Sequence, residues 1–150
     1  MRMRTPMNLA QWQSDTDMKA ALSEQKIAVV GLSANPARPS HDVARVMQNL
    51  GYMIVPINPR EEHVLGARSY PDLSTAAAET GPFALVNVFR ESSAVPAIAE
   101  EAVTIGARFL WLQLGVISVD GIRIAEAGGL TCIVDRCLKI EYRRLCGVAG

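Results

Sequence analysis

The 150-residue sequence carries no surplus of either charge: 15 lysines and arginines balance 15 aspartates and glutamates, a formal net charge of +0. Such a balance excludes the broad cationic surface of a general nucleic-acid binder or a membrane-surface protein, while leaving room for local basic patches. No apolar run reaches transmembrane length, and the opening MRMRTPMNLAQWQ has two arginines but no apolar core of signal-peptide length. The expected location is the cytoplasm, with neither nucleic acid nor membrane as a partner. Cysteine is scarce: Cys132, Cys137 and Cys146 are odd in number and lack metal-site spacing, so reduced thiols and no metal are expected. Internal repeats, low-complexity tracts and long linkers are also missing. What is present, 49% hydrophobic and 20% charged residues, suits one packed domain that buries about 70% of its unfolded surface.

Apolar β-branched runs alternate with helical patterns along that domain. An opening helix is expected from about Ser14 to Gln25, with Ser14 as cap and Asp17 completing a capping-box pattern. KIAVV (Lys26 to Val30) reads as a buried strand. Val43, Val46, Met47 and Leu50 then form an amphipathic stripe that Gly51 can end. MIVPIN (Met53 to Asn58) is a second strand, although Pro56 removes a ladder donor. Pro59 to Pro82 is loop-rich, with a short helix near Leu73 to Glu79. ALVNVF (Ala84 to Phe89), FLWL (Phe109 to Leu112) and TCIV (Thr131 to Val134) are further strands. Helical stripes fall at Val95 to Val103, with Pro96 in the first turn, near Ile122 to Ala127, and from about Arg136 to Leu145. This alternation predicts a Rossmann-like doubly wound α/β fold: a mainly parallel sheet of about five strands flanked by helices. Residues 1–25 are expected to form an N-terminal extension and helix, 26–146 the Rossmann-like domain and 147–150 a short tail.

In such a sheet, ligands lie at the carboxyl ends of the strands where strand order reverses. The loop GLSANPARPS, beginning at Gly31, opens there, and a helix starting around Ser40 or His41 would aim free N–H groups and its dipole into the crevice. The dipole contributes only about 0.3–1 kcal/mol per exposed charge. A charge-assisted hydrogen bond contributes about 1.5–3 kcal/mol, so Arg38 should matter more, with Ser33 and Ser40 as hydroxyl donors. The loop lacks G-x-G-x-x-G spacing and is stiffened by Pro36 and Pro39, which argues against an ordinary dinucleotide pyrophosphate site. After the second strand, Asn58-Pro59-Arg60 replaces the acidic residue that an NAD site uses on the ribose. An arginine there suits a ribose phosphate, as in NADP or the 3′-phospho-ADP half of coenzyme A; alternatively it is a solvated loop charge. Arg90 follows the third strand, giving a cation at three consecutive strand ends.

In order and spacing, VVGLSANPARPS, GYMIVPINPR, VLGARSYPDL, NVFR, LWLQLGV and AGGLTCIVDRCLKIEYRRL resemble the small stand-alone CoA-binding proteins. These are relatives of the nucleotide-binding domain of the succinyl-CoA synthetase alpha subunit, and the likeness runs from about Ile27 to Leu145. It implies a CoA or acyl-CoA lying across the strand ends. Gly31, Leu32, Ser33, Arg38, Pro39 and Ser40 would meet phosphates; Asn58, Pro59 and Arg60 would line the nucleotide end. Val88, Phe89 and Arg90 would form a further wall, and Gln113, Leu114 and Gly115 would border the cofactor. The synthetase carries its phosphorylated histidine on a separate following domain, and this chain ends before one, so the resemblance supports binding and withholds catalysis.

The residues themselves supply no catalytic constellation. No G-x-S-x-G elbow or recognisable carboxylate pair occurs. His41, at the expected helix start, is either a phosphate contact or an ordinary surface residue, and His63, beside Glu61 and Glu62, reads as a solvated loop residue. In DRC, Asp135 would cap the last helix and Cys137 would sit in its first turn beside Arg136. A thiol activated there to exchange disulfides with CoA competes with a buried structural cysteine. Trp111 reads as core or interface, and Trp12 as a staple for the first helix. The rival functions are an NADP-linked oxidoreductase and an interaction module that binds no ligand. The acyl group, any protein partner and the oligomeric state are left open.

Overall fold

The computed structural model describes residues 8–147. The first seven residues of the expected extension and all of the expected tail but Gly147 lie outside the described residues. Five strands form one parallel sheet in the order β2-β1-β5-β6-β7: β1 (Lys26–Val30), β2 (Met53–Ile57), β5 (Leu85–Val88), β6 (Phe109–Leu112) and β7 (Thr131–Ile133). A two-stranded antiparallel hairpin, β3 (His63–Val64) and β4 (Ala67–Arg68), stands apart from it. Among the described residues there are six α-helices: α1 (Asp15–Leu22), α2 (Pro39–Asn49), α3 (Leu73–Thr80), α4 (Val95–Thr104), α5 (Val119–Ala127) and α6 (Leu138–Leu145). The Rossmann-like reading of the sequence is the fold of the molecule.

The strands are apolar throughout because both faces are covered. Along β1, Ala28 and Val30 point into one apolar cluster with Leu73, Ala99 and Ile122 of α3, α4 and α5. Ile27 and Val29 point into the other, with Met18, Met47 and Leu138 of α1, α2 and α6. β6 alternates in the same way, Leu110 and Leu112 on the first face and Phe109 and Trp111 on the second. Trp111 is fully buried, as expected, and its indole N–H donates to the Arg136 carbonyl at 2.9 Å. Trp12 ends a 3₁₀ turn, packs half-buried against the first cluster, and its carbonyl accepts from the Val134 N–H at 3.1 Å.

Local chemistry fixes the element ends. The Ser14 hydroxyl accepts from the Asp17 N–H at 3.1 Å and starts α1, which stops at Leu22, short of Gln25. Asp72 and Ser118 cap α3 and α5 in the same way. Pro56 is tolerated because β2 is an edge strand. Its carbonyl accepts from the Tyr70 N–H at 3.0 Å, so its donorless nitrogen faces the outer edge and not β1. Two expectations are corrected. Helix α2 starts at Pro39, with Arg38 at its N-cap, and not at Ser40 or His41. Asp135 does not cap α6: it takes a left-handed φ of 58° and its carboxylate accepts from the Gly115 N–H at 2.7 Å. The last helix therefore begins at Leu138, with Cys137 buried at the N-cap.

Candidate functional site

From β1 the chain turns to β2 on one side and, through α3, to β5 on the other, so strand order reverses between β1 and β5. Two open clefts meet over this point. The smaller, about 530 Å³, lies among Asn58, Pro59 and Arg60 after β2, Pro71, and Arg90 and Glu91 after β5. The larger, about 730 Å³, extends over β5 and β6 toward α2 and α6, bounded by Ser33, Arg38, Phe89, Gln113, Leu114 and Ile140 among others. Gly31 and Arg90 line both.

Gly31 makes that junction possible. It has φ +85°, and a Cβ there would lie 2.4 Å from the Phe89 carbonyl oxygen and 3.0 Å from Arg90 Cδ. Only glycine lets the β1 and β5 exits approach so closely. Beyond it, the first loop is braced by its own side chains. The Ser33 N–H donates to the Ser40 hydroxyl at 3.0 Å, the Asn35 N–H to the Ser33 hydroxyl at 3.0 Å, and the Ala37 N–H to Asn35 Oδ1 at 3.0 Å. These three loop N–H groups are therefore not free to face a ligand. Pro39 leaves the first position of α2 without an N–H, so the nearby cations and hydroxyl protons add to what the helix start can offer an anion.

The guanidinium groups of Arg38 and Arg60 are exposed and have no hydrogen-bonding or salt-bridging acceptor among the described residues. Arg60 is carried by a turn in which its N–H donates to Asn58 Oδ1 at 2.9 Å, while Asn58 Nδ2 donates to the Leu32 carbonyl at 2.9 Å and ties the β2 exit to the first loop. Arg90 is engaged: Nε donates to Glu91 Oε2 at 3.1 Å and a terminal nitrogen to Oε1 at 2.8 Å. That bidentate pair holds the Glu91 carboxyl down at about 2. Across the larger cleft, Lys139 of α6 meets Asp42 of α2 at 2.7 Å, and with Arg45 holds the Asp42 carboxyl below its ordinary range.

Of the residues singled out in the sequence, Gly31, Ser33, Arg38, Pro39, Ser40, Asn58, Pro59, Arg60, Phe89, Arg90, Gln113 and Leu114 line these clefts. Three do not. Leu32 and Val88 are fully buried with their side chains in the two apolar clusters: strand alternation turns Val88 inward on β5, and Leu32 packs into the opposite cluster from the loop after Gly31. Gly115 lies outside both clefts and its N–H is held by Asp135. Cys137, weighed in the sequence as a thiol facing CoA or as a buried structural cysteine, is buried at the N-cap of α6 and borders the larger cleft; the contributions of Lys139 and Ile140 from α6, and of Pro71, have no counterpart in the sequence reading. The isolated bridge of Tyr70 to Ile57 brings Pro71 in, a pairing with no local sequence signal. Neither histidine lines a cleft; His63 stands on β3. A third depression of about 570 Å³ lies at the opposite, amino ends of the strands. Its cations are occupied, Lys26 by the Thr80 and Gly81 carbonyls at 2.7 and 3.0 Å and Arg108 by Glu24 at 3.2 Å.

The chain is similar to several known proteins over most of its length. YneT, an uncharacterized protein of Bacillus subtilis (strain 168), is 38% identical over 130 residues, covering 86% of this chain and 94% of its own. Among solved structures, a hypothetical protein from Pyrococcus horikoshii OT3 superposes with a TM-score of 0.85 at 28% identity, covering 98% of this chain and 100% of its own. Cell-free ID.343 from Thermus thermophilus gives 0.80 at 29% identity, covering 89% and 99%. No helix among the described residues is long and apolar enough to cross a membrane. The family model described as "CoA binding domain" matches residues 25–143, from the residue before β1 into α6, so both clefts fall inside the match and the chain belongs to the CoA-binding domain family.

Proposed function

We propose that the protein binds coenzyme A or an acyl-CoA through its phosphorylated ADP moiety and acts as a non-catalytic carrier or sensor. The observation that carries this reading is the joining of two unlike clefts at Gly31 and Arg90. The smaller offers Arg60 and Arg90 to a phosphorylated nucleotide. The larger offers Leu114, Val116 and Ile140 to a long, less polar arm, with Arg38 at its edge. Coenzyme A has that division along its length. The single role assigned to Arg60 predicts that the 3′-phosphate matters: one charge-assisted hydrogen bond contributes about 1.5–3 kcal/mol, or about tenfold to a hundredfold in affinity.

Calorimetric titration with CoA and dephospho-CoA tests this; CoA should bind at least tenfold tighter, and increasingly so at low salt. Equal affinities would remove the role of the arginines. Arg60 in place of an acidic residue also favours an NADP-linked reading, which a fluorescence titration with NADPH separates from the first. Native mass spectrometry of freshly purified protein would identify any ligand that is retained.

A further inference from the structure

The sheet contains one polar side chain that its surroundings do not call for. Asn87 stands in the middle of β5 between Val29 of β1 and Trp111 of β6, on the face packed by α1, α2 and α6, and is fully buried. Its Nδ2 donates to the Trp111 carbonyl at 3.2 Å and to Gln113 Oε1 at 3.4 Å, while its Oδ1 has no partner. A carbonyl oxygen only accepts, so Trp111 fixes which end of the Asn87 amide is nitrogen. An amide nitrogen only donates, so Asn87 in turn fixes which end of Gln113 is oxygen. Gln113 is only 5% exposed, yet it lines the larger cleft, and its Nε2 meets no acceptor among the described residues. The chain of hydrogen bonds thus leaves a nearly buried side chain offering the cleft two donor protons, its own acceptor already occupied.

We infer that Gln113 donates to a carbonyl oxygen on the arm of the bound molecule, with Asn87 as the positioning residue that holds Gln113 in this orientation. The inference rests on the CoA reading: the pantetheine arm bears two amide carbonyls, and an acyl thioester adds another. A nucleotide without such an arm gains nothing from the pair. The orphaned Asn87 oxygen is a local cost in the core, of the kind tolerated where a side chain orients a site.

The test is calorimetric titration of wild type, Gln113→Leu, Gln113→Glu and Asn87→Leu with CoA and with 3′-phospho-ADP, which lacks the arm. Gln113→Leu should weaken CoA by about fivefold to tenfold and leave 3′-phospho-ADP unchanged. Gln113→Glu should weaken CoA further, because its carboxylate accepts from Asn87 and faces the ligand carbonyl with another acceptor. Asn87→Leu should show the same selectivity for CoA, since it keeps the branched shape of the side chain while removing the hydrogen bond that orients Gln113. An unchanged CoA affinity in Gln113→Leu, or a parallel loss for both ligands, overturns the inference while leaving CoA binding intact. Wild type binding neither ligand overturns the CoA reading itself. Should Asn87→Leu fail to fold, the two Gln113 variants alone decide the outcome.

Discussion

Replacing Gly31 by alanine tests the link between sequence, fold and site at its narrowest point. Two costs add. The backbone at φ +85° is left-handed, which costs an alanine about 1–2 kcal/mol. The new methyl would also lie 2.4 Å from the Phe89 carbonyl oxygen, where ordinary contact is 3.4–4 Å. That oxygen is backbone and not the end of a flexible side chain, and the Phe89 N–H next to it in the chain donates to the Val30 carbonyl at 2.8 Å. Relieving the overlap should cost a further ~1–3 kcal/mol, as overpacking does elsewhere. The sum, about 2–5 kcal/mol, corresponds to a fall in melting temperature of about 4–20 °C for a domain of this size. Gly66→Ala supplies the control. It has φ +76° with nothing within 4 Å, so it carries the backbone cost alone and should fall by about 2–8 °C. Thermal unfolding followed by far-UV circular dichroism distinguishes them, and equal losses in the two variants would refute the steric argument. Where Gly31→Ala remains folded, the displaced Phe89–Arg90 segment should also weaken CoA binding, which Gly66→Ala should not.

Two other expectations follow from the charges and buried groups. Glu91→Gln frees Arg90 from its exposed bidentate partner and removes a negative charge beside the smaller cleft, so CoA should bind about twofold to fivefold tighter in calorimetry; weaker binding would show that Glu91 aims Arg90 at the ligand instead of competing with it. Burial pushes the Tyr52 hydroxyl, which donates to the Leu22 carbonyl, up to about 12. Its unfolded form ionises near 10, so the stability it contributes is complete below about pH 10 and is lost as pH rises toward 12. Spectrophotometric titration should show one tyrosine lagging, and Tyr52→Phe should flatten the alkaline limb of the stability profile.

The sheet was legible because its strands are apolar on both faces, a pattern that KIAVV and FLWL display without ambiguity. The hairpin of β3 and β4 was not. Its two-residue turn places both Leu65 (φ 54°) and Gly66 (φ 76°) in the left-handed region, and leucine is not the residue that announces such a turn. Packing explains the exception: Leu65 leans on the cluster beneath α2, and its carbonyl accepts from Gln48 Nε2 at 2.9 Å. The start of α6 was misjudged for a related reason. Asp135 is a good helix cap in isolation, but the Gly115 N–H, 20 residues away, claims its carboxylate and holds it elsewhere.

The candidate site divides along the same line between local and long-range signals. The strand ends could be read because a parallel sheet dictates where its loops gather, so Gly31, Asn58 and Arg90 follow from connectivity alone. The first turn of α6 could not: its periodicity gives a helix, yet only the Lys139–Asp42 pair, separated by 97 residues, says which cleft it overhangs. Asn87 lies between these cases. Its position inside ALVNVF was visible as an amide in an otherwise apolar strand, and the alternation of that strand already set it on the face of Leu85, opposite Val86 and Val88. What the pattern lacked was Gln113, whose oxygen the buried amide engages and whose orientation it sets. The polar residue inside that two-sided apolar run thus led, through its one side-chain partner, to the strand end where Gln113 borders the larger cleft.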